Sequence, residues 1–196
     1  RSVTFYLDTP LLVQLLGLEG DPKKKAIDDL IELVRNLGGT IATFSHSRDE
    51  LDRVLKGAAD YIEARNGRGS IIIEARRNGT TKSDLILLAG KVDQLLEESK
   101  IEVNNTPSYS PDFQIDEATF EKILEDEVTY FNPRAIEYDI NSVRSIYVLR
   151  ANTLPTSVER CKAILVSSNS AFARAAYDYG QLHMESNEVS SVITDF

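Results

Sequence analysis

VTFYLDTPLLVQLLGL, residues 3–18, decides how this chain is read. Val3, Thr4, Phe5 and Tyr6 are β-branched or aromatic, and Leu7 completes an apolar run that reads as a buried strand. A single carboxylate, Asp8, follows, and Thr9-Pro10 then opens a leucine-rich helix whose first turn tolerates the missing proline N–H. An acid held between a buried strand and a helix is either a helix cap or a polar group aimed at a site.

Working outward, DPKKKAIDDLIELVRNLGG reads as a helix with Asp21 as cap and Pro22 in its first turn. Ala26, Ile27, Leu30, Ile31, Leu33, Val34 and Leu37 form its apolar stripe, and Gly38-Gly39 ends it. TIATF (Thr40–Phe44) is a second strand. Strand, helix, strand predicts a right-handed crossover onto a parallel sheet. SHSRDELDRVLKGAADYIEAR is the next helix, capped by Ser45 or Ser47. Residues 69–78, 81–98 and 116–130 predict further helices, and 104–112 a loop. RAIEYDINSVRSIYVLRAN reads as a helix carrying Asp139 near its start, and Ala163–Ser167 as a third strand. NSAFARAAYDYG is a helix ended by Gly180, and SSVITDF starts a fourth strand. The ends of the chain therefore read as α/β around a parallel sheet, with a helical middle.

The chain has 196 residues, 42% of them hydrophobic, enough for one domain with a real core. It begins at Arg1 rather than Met and is read as a piece of a longer protein. No apolar run is long enough to span a membrane. One cysteine, Cys161, builds neither a disulfide framework nor a thiolate zinc site, so a cytoplasmic location is expected. The net charge of -9 would argue against a polyanionic partner if it were spread evenly. It is local: residues 97–137 hold eleven acids against three bases, whereas residues 48–91 hold nine bases against seven acids.

In open parallel sheets, sites lie at the carboxyl ends of the strands. Asp8 follows the first strand, Glu50 stands in the first turn of the helix after the second, and Asp139 heads a later helix. Asn169 follows the third strand. Singly, each also reads as a helix cap or as an acid at a helix N-terminus. Together they would repel one another unless a divalent cation neutralised them, and hard Mg2+ or Mn2+ takes such oxygen ligands. Other chemistries find less support. His46 and His183 accompany no nucleophile elbow, and NGRGS (66–70) is too short for a phosphate loop. Tyr109, Tyr130, Phe131 and Tyr138 read as base-stacking groups or as core.

VTFYLDTPLLVQLLGL, TIATFSHSRDELDRVL, IEYDINSVRSIYVL and KAILVSSNSAFARAA, taken in order, resemble the PIN-like domain superfamily. The resemblance covers roughly residues 3–66 and 136–180, and implies a single domain over 1–196, a three-layer α/β/α sandwich with a central parallel sheet and a helical insertion at 67–135. It implies a Mg2+- or Mn2+-dependent nuclease, acting on RNA more often than on DNA, in which water attacks a phosphodiester in line to leave a 5′-phosphate and a 3′-hydroxyl. It implies Asp8, Glu50 and Asp139 as metal ligands, with Asn169 at a fourth catalytic position where many members carry Asp. Ser167 or Ser168 matches the hydroxyl before it, and Thr9 and Ser168 would face substrate with Arg48, Arg53, Arg144 and Arg174. Two further readings stand beside this one. The first is a PIN-like module without cleavage that contacts protein or nucleic acid, with the acidic segment 97–137 toward a basic protein partner or folded over the substrate groove as a lid; a homodimer is a separate expectation. The second is a phosphatase of the haloacid dehalogenase type, which FYLDTP and ILVSSN resemble. That chemistry wants a second Asp where this chain has Pro10.

Overall fold

A computed structural model describes residues 2–183 and 187–195. The order is β1 (Thr4–Leu7), α1 (Thr9–Leu15), α2 (Asp21–Asn36), β2 (Thr40–Phe44), α3 (Ser45–Tyr61), α4 (Ser70–Arg77), α5 (Lys82–Gly90) and α6 (Val92–Glu98). Then come β3 (Glu102–Asn104), α7 (Glu117–Glu127), α8 (Pro133–Arg150), β4 (Ala163–Ser167), α9 (Ser170–His183) and β5 (Val192–Thr194). The five strands form one all-parallel sheet in the order β3-β2-β1-β4-β5. Helices cover both of its faces, so the fold is the expected three-layer α/β/α sandwich.

The three inner strands, β2, β1 and β4, are largely buried on both faces, and their sequences are accordingly mostly apolar. Leu7, Ile41 and Val166 point toward one layer, where Leu11, Leu12, Ile31, Leu51, Leu55 and Leu85 pack. Their neighbours Tyr6, Ala42 and Leu165 point the other way, against Phe120, Val143, Ile146, Phe172 and Ala176 of α7 to α9. Arg150 ties the end of α8 to the sheet. It donates to Ala163 O at 3.0 Å, Val189 O at 2.7 Å and Ser190 O at 2.9 Å.

The structure departs from the sequence reading in several places. β3 adds a fifth strand, paired with β2 at the edge through Ala42↔Glu102 and Phe44↔Asn104. Glu102 and Val103 are exposed, so this edge strand has no apolar run to announce it. The stretch 67–135 therefore contributes one strand of the sheet beside the helices α4 to α7 and the irregular segment 105–116. The helix expected over 81–98 breaks at Lys91 into α5 and α6. α3 starts directly at Ser45 after Phe44, with no side-chain cap from Ser45 or Ser47. Asp21 is the first residue of α2 rather than its cap. α9 runs past Gly180 to His183, since a helical glycine ends a helix only where the chain turns left-handed there. The strand expected from Ser190 onward is β5, while the final residue, Phe196, lies outside the described residues.

Candidate functional site

The sheet register builds the site. Leu7 pairs with Val166, so the next residues, Asp8 and Ser167, stand side by side where β1 and β4 end. Asp8 does both things its position allows. Its Oδ1 accepts from Leu11 N at 3.2 Å, capping α1, and its Oδ2 accepts a short hydrogen bond from the Ser167 hydroxyl. Ser167 in turn accepts from Asn169 N at 3.1 Å.

Glu50 reaches the same place from α3, where it lies in the second turn rather than the first. Thr9 holds it through a short hydroxyl–carboxyl hydrogen bond, and the same hydroxyl donates to Ser47 O at 3.3 Å. Asp139 arrives from α8. It is the seventh residue of that helix, well past the start expected of it. Tyr130, in the segment between α7 and α8, donates its hydroxyl to Asp139 Oδ2 at 2.6 Å.

Asp8, Thr9, Glu50, Tyr130, Asp139 and Asn169 line one cavity of about 300 Å³. No lysine or arginine is among its lining residues. The electrostatic result is strong. Burial pushes Asp8 up to about 7 against the hydrogen bonds from Ser167 and Leu11, and the charges of Glu50 and Asp195 add to the rise. Burial pushes Asp139 up to about 8, opposed by the Tyr130 hydrogen bond and reinforced by Asp8 and Glu50. Burial raises Glu50 as well, against the Thr9 hydrogen bond and the charge of Arg53. Three acids from three distant parts of the chain thus feel one another across a common cavity.

Among the described residues, no three His, Cys, Asp or Glu side chains stand close enough together to enclose a metal ion. The donor chemistry still fits a cation of one kind. Mg2+ keeps several waters and needs only one or two carboxylates, whereas a dry cage would need a tighter set. The oxygens are hard, and the acids lack an internal counter-charge.

The other sequence candidates are placed less centrally. Asn169 lines the cavity, but its Oδ1 caps α9 by accepting from Phe172 N at 3.1 Å. Ser168 is partly exposed and is not among the lining residues; the hydroxyl that meets the acids is Ser167. Arg48 is taken up by Asp93, with two hydrogen bonds of 2.7 Å. Arg144 is buried, donates to Pro107 O at 3.3 Å and pairs with Glu117 at 3.7 Å. Arg174 is exposed and pairs with Asp178 at 3.8 Å. Arg53 sits closest to the site, 5.4 Å above the ring of Tyr138, which itself lines the cavity.

His46 is neither a loop residue nor a cap. It lies in the first turn of α3, in a stack that runs Tyr6, Phe44, His46, Tyr138, with centroid separations of 4.1, 5.3 and 6.4 Å. Its ring nitrogens bond Thr106 Oγ1 and Ser142 Oγ, each at 2.8 Å. Burial lowers its pKa to about 4, and the charge of Arg144 helps. The side chain of His183 lies outside the described residues.

Two residues escape a reading from sequence. Tyr130 is an acid's hydrogen-bond partner, which nothing in a lone tyrosine announces. Asp195 follows β5 as Asp8 follows β1, and its Oδ1 is buried without a hydrogen-bond partner. That shared position after a strand was the legible signal.

The chain matches no family model, no curated protein and no solved structure. Among the described residues, no helix is long and apolar enough to cross a membrane.

Proposed function

We propose that this chain is a PIN-like, Mg2+- or Mn2+-dependent nuclease that hydrolyses phosphodiester bonds of RNA or single-stranded nucleic acid in a reducing, cytoplasmic setting. One observation carries the reading: Asp8, Glu50 and Asp139 line one open cavity at the carboxyl edge of a parallel sheet, with no cation among its lining residues. Asp8, Glu50 and Asp139 would hold the ion partly through its own waters, and when bound it would supply Lewis acidity toward water and the phosphoryl oxygens.

The chain's own groups do the positioning. Ser167 and the Leu11 N–H fix both oxygens of Asp8. Thr9 fixes Glu50. Tyr130 occupies Asp139 Oδ2, leaving Oδ1 to face the ion and its waters.

The testing experiment is Mn2+-dependent cleavage of single-stranded and structured RNA and DNA by the parent chain, Asp8→Asn and Glu50→Gln. Cleavage by the parent that is lost in both variants and in chelator supports the reading. Cleavage that persists in Asp8→Asn overturns it.

A second reading, a PIN-like module that binds without cleaving, is favoured by one observation. The acids are not drawn into a compact ligand set among the described residues, and Asn169 serves as a helix cap. Its contact would be a basic protein partner at the acidic segment 97–137. Calorimetric titration with Mn2+ separates the two readings: the module predicts no binding that depends on Asp8.

A further inference from the structure

Phe131 is 98% exposed, the most exposed large apolar side chain among the described residues. A single exposed apolar residue needs no explanation. Its position does. Phe131 and Asn132 line the acidic cavity and also a second, larger groove of about 660 Å³. That groove runs between α3, the 66–70 loop and the start of α4, and the two spaces meet at the phenyl ring.

The two spaces have opposite charge character. The first holds three carboxylates and no cation among its lining residues. The second is lined by Arg68 and by no acid. Arg68 is exposed and makes no ion pair among the described residues. Tyr61, 58% exposed, adds a second aromatic ring to this wall.

The groove wall is firmly shaped. Arg76 donates to Ile62 O at 2.9 Å, Gly67 O at 3.2 Å and Ala64 O at 2.5 Å, pinning the loop to the end of α3. Gly67 has no room for a side chain, since a Cβ there would stand 2.2 Å from Tyr61 O. Gly69 has φ +112°, which favours glycine.

We infer that single-stranded nucleic acid crosses from the acidic cavity over Phe131, which stacks a nucleobase, into this groove, where Arg68 meets the phosphate next to the reacting one. The inference rests on the nuclease reading and deepens it by naming the strandedness of the substrate. The physical reasons are two. A base offers its face to a protein ring only when it is free of a duplex stack. A strand whose reacting phosphate lies among acids and metal needs a cation for its neighbour, and Arg68 supplies one on the side where the ring directs the strand.

The test uses the full chain and two readouts. The first is anisotropy binding of a short fluorescent oligouridylate, its deoxy counterpart and a duplex of equal length, in chelator, across a salt series. The second is Mn2+-dependent hydrolysis of bis(p-nitrophenyl) phosphate, which is small enough to use the acidic cavity alone. Phe131→Ala should weaken single-strand binding roughly tenfold while Phe131→Tyr retains it. Arg68→Gln should lower the slope of log affinity against log salt by about 1. Hydrolysis of the small diester by the parent reports on the acidic cavity by itself.

Binding that is equal in the parent and Phe131→Ala, that prefers duplex, or that is undetectable in the parent overturns the inference and leaves Phe131 to a protein contact. Hydrolysis of the small diester alongside any of those results sinks the track but keeps the nuclease. Phe131-dependent binding without any hydrolysis does the reverse.

Discussion

Tyr130 donates its hydroxyl to Asp139 Oδ2 at 2.6 Å, joining the segment before α8 to an acid two turns inside that helix. This bond holds the Asp139 pKa down against burial and the charges of Asp8 and Glu50. Removing it in Tyr130→Phe should therefore push the Asp139 carboxyl further up. The acid must ionise to hold a cation, so Mn2+ affinity and any Mn2+-dependent cleavage should rise with pH along a curve displaced to higher pH. Calorimetric titration of Mn2+ across a pH series checks this, and an unmoved midpoint would contradict the role given to Tyr130.

Asp8 and Asp139 make the metal-free chain sensitive to alkali. Their folded pKa values, about 7 and about 8, lie well above the ordinary carboxylate value. The folded chain therefore binds these protons more tightly than the unfolded chain does. The stability they lend is complete below about pH 4 and is lost as pH rises toward 7 and 8. Thermal unfolding in chelator should show Tm falling over that window, with Mn2+ restoring it at the alkaline end.

Asp8→Asn separates stability from function at the same site. Asparagine keeps the helix cap, because its Oδ1 still accepts from Leu11 N. At about 1.4 kcal/mol for each of the roughly three pH units between folded and unfolded pKa values, the substitution should stabilise the metal-free chain at pH 8 by up to about 4 kcal/mol. Urea unfolding measures it. Destabilisation instead would mean that the ionised carboxylate is held favourably.

His46 works in the opposite sense. Its folded pKa, about 4, lies below the unfolded value, so its contribution is present above about pH 6.5 and is lost as pH falls through 4. The imidazole should titrate near 4 by NMR and stay neutral at physiological pH. His46→Phe keeps the ring in the stack but forfeits the bonds to Thr106 and Ser142, leaving two hydroxyls to find other partners. A loss of about 1–3 kcal/mol at pH 7 is expected, with a smaller acid-side slope.

Gly67→Ala tests the loop that walls the second groove. Its Cβ would stand 2.2 Å from Tyr61 O and 2.9 Å from the Arg76 guanidinium, so backbone must shift. A cost of about 1–3 kcal/mol is expected in urea unfolding. Gly57→Ala, at a helix position with open space, should be neutral or slightly stabilising.

The layer architecture was legible before any coordinates because it rests on local signals. TFYL, TIATF and AILVS are apolar on both faces, as buried parallel strands must be, and the stripe of α2 has a clear helical period. The edge strand β3 was illegible because a half-exposed edge carries no hydrophobic run, and the break at Lys91 was illegible because both flanking segments are good helix formers. Asp8 could be singled out because an acid directly after a buried strand is locally conspicuous.

What the sequence by itself determined is which residues must be buried, and hence that the ends of the chain alternate strand and helix around one sheet. Only the tertiary structure decided which polar groups meet. The register Leu7↔Val166 sets Ser167 against Asp8. The packing of α8 turns Asp139 inward from its second turn, and the segment before it delivers Tyr130. The same folding ties Arg48 to Asp93 and Arg144 to Glu117, and leaves Phe131 uncovered between two cavities. Burial is written in residue type and period, position by position. A hydrogen bond between residues far apart in sequence depends on the summed geometry of everything between them, and no local pattern encodes it.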